Sequence, residues 1–170
     1  MPGHVSHAFR LRRRGTWPRA LAFAALVGLA GCGLLRHRDL PTHLVGFDQT
    51  FVVRGDAGLT QVIKLHGTRM NIQSGAFAIY GSGAVSLWVA GARDTVIADR
   101  LVRDMSARLR GEDSPFRPES TRTLQSRRVL ELSGMGQRHF CFRAGSRVVW
   151  LAANRREADA ALEEALRFYR

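Results

Sequence analysis

Two stretches of the chain carry apolar residues at helical spacing. Ile97, Leu101, Met105 and Leu109 recur every four positions, and Ala98 and Val102 widen the stripe. The pattern predicts an amphipathic helix from 93 or 94 to 109, ended by Gly111. Ala158, Ala161, Leu162, Ala165, Leu166 and Tyr169 form a second stripe. Asn154, with Glu157 three residues on, predicts where that helix starts. Glu163 and Arg167 stand one turn apart on its outer side.

Between the helices the period falls to two. Phe140 and Phe142 share one face of a strand starting at Arg138, while His139 and Cys141 share the other. Residues 124–132 predict the strand before it, with Val129, Leu130 and Leu132 apolar. Residues 112–120, EDSPFRPES, hold two prolines and predict a loop whose Phe116 tucks back onto the core. Upstream, 51–53 predicts a short strand, and Asp56 caps a short helix through Leu59, Val62, Ile63 and Leu65 to Gly67. Residues 70–73 predict a strand, followed by a turn at Ser74-Gly75.

A shift of 62 residues aligns two parts of the chain. Tyr80 falls on Phe142, Gly83 on Gly145, Trp88 on Trp150, Ala90 on Ala152 and Arg93 on Arg155. Each copy reads as strand, glycine turn, strand with a tryptophan, then helix, over about 76–110 and 138–169. The expected fold is therefore α+β: a two-layer sandwich in one domain, 48–170, built from duplicated ββα units. Its antiparallel sheet would have about five to seven strands, with both amphipathic helices on one face.

Charge changes the picture at the amino end. Residues 1–20 hold Arg10, Arg12, Arg13, Arg14 and Arg19 and no acid, and residues 21–32 carry no charge at all. A basic segment, an apolar run and then small residues make an export signal. Twelve helical residues span about 18 Å, short of the ~30 Å hydrocarbon core. A secretory signal cut elsewhere, or a buried helix of a cytosolic protein, are the other readings of this run.

The run ends in Leu29-Ala30-Gly31-Cys32, which resembles the lipobox of bacterial lipoprotein precursors. The resemblance implies a signal peptide over 1–31, diacylglyceryl and further acyl chains on Cys32, and a lipidated tether over 32–47. Several acyl chains on one residue suffice for stable membrane anchoring. Gly33, in place of the aspartate that retains such proteins in the inner membrane, favours the outer membrane where the cell has one. Arg13-Arg14 is followed by Gly15 and Thr16 rather than apolar residues, so the general secretory route fits better than twin-arginine export. The domain behind the signal is similar to small lipoproteins of bacterial envelopes.

Of the 26 basic residues all but Lys64 are arginine. Five of them and no acid precede Cys32, so the formal charge of +12 falls to +7 for residues 32–170. That surplus suits anionic lipid headgroups or other polyanions. The arginines are spread out, and no nucleic-acid-reading motif is present, so nucleic acid is not an expected partner.

Candidate chemistry is sparse. With Cys32 acylated, Cys141 is the one remaining thiol. His37, His43, His66 and His139 have no carboxylate cluster nearby in sequence, so no metal or cofactor is expected. Gly134-Met135-Gly136 either presents Gln137, Arg138 and His139 to a ligand or is a turn that needs its glycines for positive φ. Trp88, Trp150 and Arg147 are the other candidate surface residues, on a sheet face left uncovered. No catalytic constellation is found. The expectation is a lipid-anchored, non-catalytic binding or assembly module for an envelope protein partner. The alternatives are a lipid- or polyanion-binding accessory factor and an envelope hydrolase.

Overall fold

The computed structural model describes residues 39–66, 70–111 and 114–170. The leader 1–31, the lipidation position Cys32 and the predicted helix stop Gly67 lie outside the described residues.

Eight strands make one antiparallel sheet. They are β1 His43–Leu44, β2 Phe47–Val53, β3 Ser74–Tyr80 and β4 Val85–Gly91, then β5 Phe116–Leu124, β6 Arg127–Gly134, β7 Gln137–Ala144 and β8 Arg147–Ala153. Their order, β1-β2-β3-β4-β8-β7-β6-β5, is two four-stranded meanders joined along β4 and β8. Helix α1, Gly55–His66, links β2 to β3. Helices α2, Thr95–Arg108, and α3, Ala158–Phe168, follow β4 and β8. The α+β class and the antiparallel sheet are as expected, with one strand more than the upper expectation.

Two core layers flank the sheet. On one face Val85, Leu87, Phe140, Phe142, Val149 and Leu151 pack with Ala161, Leu162, Ala165 and Leu166 of α3. On the other, Leu130, Leu132, Cys141, Val148 and Trp150 pack with Ala98, Ile97, Leu101 and Met105 of α2 and with Val62 of α1. The expected two-layer sandwich with both helices on one face is therefore corrected: α2 and α3 cover opposite faces. The physical reason lies in β7 and β8. Phe140-Cys141-Phe142 and residues 148–153 are apolar on both sides of the strand, and such runs are stable only when both faces are covered.

The ββα repeat also stops at the hairpins. Trp88 and Trp150 are direct cross-strand partners in the β4–β8 pair, and each sits in the second strand of its hairpin. The two following helices leave to opposite faces, so the units do not match as ββα. The β3–β4 connection spans four residues between Tyr80 and Val85, whereas β7–β8 turns through Gly145-Ser146 alone. The equivalent of Tyr80 is thus Ala144, not Phe142.

Four local expectations are corrected. Residues 74–80 form a strand where a turn was expected after 73, because Gly75 lies under α1. A Cβ on Gly58 would meet the Gly75 carbonyl oxygen at 2.2 Å, so the helix sits on the strand backbone to backbone. The proline-bearing loop is β5, an edge strand, where Pro118 beside a register shift lacks only a hydrogen that an edge need not donate. Asn154 does not cap α3. Its side chain accepts from Gln137, and Glu157 occupies the cap position with no side-chain bond. Residues 39–47, expected as tether, belong to the domain: Leu40 and Leu44 are buried in the α3-side core. The hydroxyls of Tyr80 and Tyr169 donate to the carbonyls of Pro41 (2.8 Å) and Asp39 (2.5 Å).

Candidate functional site

The residues singled out from sequence fall on different surfaces. His139, Trp88 and Trp150 point to the α2 face, whereas Arg138 and Arg147 point to the α3 face, as strand alternation from the observed register requires. Gln137 lies at the start of β7, and its amide donates to Gly83 O and Asn154 Oδ1, both at 3.2 Å.

His139 is a structural histidine. It is 4% exposed. Trp150 Nε1–H donates to its Nδ1 (3.2 Å), and its Nε2–H donates to Gly134 O (3.0 Å). The partners fix the tautomer, because an indole N–H only donates and a carbonyl only accepts. Burial holds the imidazole below its ordinary pKa, against the opposing pull of the Gly134 bond. The ring edge meets Phe116 at 4.7 Å between centroids, and Phe116 meets Trp150 at 5.2 Å. Cys141 is fully buried, and desolvation pushes its thiol pKa up, so it is no nucleophile at neutral pH.

An aromatic row runs across this face. Phe51 meets Phe77 edge-on, Phe77 stacks on Trp88 at 4.6 Å, Trp88 pairs with Trp150, and Trp150 leads to His139 and Phe116. Its outer end is open: Phe51 is 50% exposed.

On the α3 face Arg138 bridges Glu131 and Asp159 (2.8 Å to the latter), and Arg122 reaches the same glutamate at 2.9 Å. Burial pushes the Glu131 pKa up, but bonds from Arg138 and Ser120 and the charge of Arg122 outweigh it, so the carboxyl stays below its usual range. This network ties β5, β6 and β7 to the start of α3. Arg147 is held by Asp39 at 3.2 Å.

A groove on the α2 face was not singled out from sequence. It lies between α2 and the β5–β6 hairpin and encloses about 520 Å³. Among the described residues, five arginines and one acid, Asp99, line it. Arg143 is paired with Asp99 at 2.6 Å. Arg127 donates to the terminal carbonyls of α3, Leu166 O (2.7 Å) and Tyr169 O (2.9 Å). Arg103, Arg110 and Arg128 carry no ion pair among the described residues. The rim is a tight turn in which Gln125 (φ 48°) and Ser126 (φ 62°) are both left-handed without being glycine. The spacing of Arg103, Ser106, Ala107 and Arg110 on one helix side was the available signal. The partner wall, Ser126, Arg127, Arg128 and Leu130 with Thr121, fell largely in the predicted strand 124–132, but no local pattern places that strand beside α2.

Among the described residues no three histidine, cysteine or acidic side chains are placed to hold a metal ion, and no helix is long and apolar enough to cross a membrane. No protein-family model, curated protein or solved structure matches the chain.

Proposed function

We propose that the chain is a lipid-anchored envelope protein that acts as a non-catalytic binding or assembly module for a protein partner. The observation that carries the reading is the Leu29-Ala30-Gly31-Cys32 motif set directly ahead of the folded domain. The chain is pinned to the core from Asp39 onward by Tyr169 and Arg147. Seven residues after Cys32 reach at most about 25 Å. An acylated Cys32 therefore holds this domain against the lipid surface, within reach of other membrane-bound proteins. The open end of the aromatic row, at Phe51 and Phe77, supplies rigid apolar contact area of the type protein interfaces favour.

We also infer that the palindromic strand order descends from duplication of a four-stranded meander, a finer reading supported by the Trp88–Trp150 pair at its centre.

The test has two parts. Cys32→Ala releases the protein from the membrane fraction, and a photo-crosslinking residue at Phe51 captures a discrete envelope protein that one at exposed Arg155 does not. Membrane retention of Cys32→Ala, or the same capture from both positions, removes the proposal.

A further inference from the structure

The arginine groove goes beyond the anchored-module reading and does not rest on it. Some exposed arginines of this protein have a carboxylate partner: Arg93 has Asp94, Arg122 has Glu131 and Arg167 has Glu163. Arg103, Arg110 and Arg128 have no such ion pair among the described residues, yet two elements distant in sequence bring them to the walls of one groove. Arg103 and Arg110 stand two turns apart on the α2 side, and Arg128 faces them from β6. Among the described lining residues, five arginines against one aspartate leave four net positive charges. The C-terminal end of α2 returns only about half a negative charge. Such self-repulsion destabilises the fold unless an anion relieves it.

The shape of the donors narrows the anion. Guanidinium groups present planar forks that match phosphate and carboxylate oxygens. A single carboxylate is served by one fork. Three uncommitted forks, with the Ser106 and Thr121 hydroxyls beside them, match a phosphate group, which has more acceptor oxygens than a carboxylate and at least one full negative charge. A cavity of about 520 Å³ also accommodates more than the ion itself, and Val102 and Leu130 line it with apolar surface.

We propose that the groove between α2 and the β5–β6 hairpin is a binding site for a phosphate-bearing ligand, held by Arg103, Arg110 and Arg128 with Arg143 behind them. The phosphate belongs either to a soluble phosphorylated molecule or to a phospholipid headgroup.

The experiment is titration calorimetry on the purified full chain with three probes. They are inorganic pyrophosphate, short-chain phosphatidylglycerol below its micelle concentration, and the matching phosphatidylcholine. Binding of pyrophosphate alone assigns the site to a soluble phosphate, binding of the anionic lipid alone to a headgroup, and binding of both to the shared phosphate. In each case Arg103→Gln, Arg110→Gln and Arg128→Gln each weaken binding roughly tenfold, the loss expected for one charge-assisted hydrogen bond. Arg155→Gln and Arg156→Gln, exposed and outside the groove, leave it unchanged. All three groove positions are exposed, so the variants retain the fold, checked by an unaltered urea midpoint. The proposal is overturned if neither anion binds, if phosphatidylcholine binds as well as phosphatidylglycerol, or if the groove variants lose no more than the two controls. None of these outcomes depends on whether Cys32 is acylated.

Discussion

Glu131→Gln tests the energetic weight of the ion network beneath α3. Glu131 is 7% exposed, and its carboxylate accepts from Arg138, Arg122 (2.9 Å) and Ser120 Oγ (3.1 Å). A hydrogen bond to a charged group contributes about 1.5–3 kcal/mol when buried, while an exposed ion pair contributes under ~1 kcal/mol. The Arg138 side chain is 22% exposed and that of Arg122 43%, so the Arg138 bond carries most of the loss. Glutamine keeps one acceptor but turns an amide N–H₂ toward a guanidinium. Arg138 retains Asp159, which limits the penalty of leaving its charge unpaired. The expected destabilisation is about 2 kcal/mol, or roughly 1 M in urea midpoint at the slope of a small domain. A double-mutant cycle of Glu131→Gln with Arg138→Met should give a coupling of about 1–2 kcal/mol, and the cycle with Arg122→Met a smaller one. Equal couplings, or a total loss under ~0.5 kcal/mol, would refute the assignment of Arg138 as the buried member and reduce the network to a surface pair.

Three further outcomes are expected. Gly75→Ala puts a methyl 2.6 Å from Leu59 Cα and lifts α1 off β3, destabilising the domain by about 3 kcal/mol or more, read by urea unfolding; a loss under ~1 kcal/mol contradicts the backbone-to-backbone packing. Met135 stands at φ 51° and is 78% exposed in a two-residue hairpin turn, so Met135→Asn should stabilise the protein by about 0.5–1 kcal/mol, seen as a rise in Tm. His139 has a lowered pKa in the fold, so the unfolded chain takes up its proton first, and stability falls as pH drops below about 6.5. His139→Phe should flatten that part of the urea-midpoint profile; the separate loss at lower pH, through the depressed Glu131 carboxyl, should remain.

Much of the architecture was legible because it rests on local periodicity. The α3 stripe from Ala158 to Tyr169 is buried at every named position, and Asp94 caps α2 with its carboxylate accepting from Ile97 N at 2.8 Å. What local pattern does not encode is which face a helix covers. The stripes of α2 and α3 look alike, and only the two-sided apolar runs at 140–142 and 148–153 signal that both faces need cover. Composition misled at β5 and β3, where Pro118 and Gly75 mark an edge and a close approach rather than loops. The groove was hidden for a different reason: its far wall lies largely in the predicted strand 124–132, and local pattern does not say that this strand stands beside α2.

The central claim concerns Cys32. Intact mass spectrometry of the protein extracted from its native membrane fraction tests it directly. The account predicts a chain beginning at Cys32 and carrying diacylglycerol on its thiol. A chain that still begins at Met1, or one cut elsewhere with an unmodified Cys32 thiol, would contradict it.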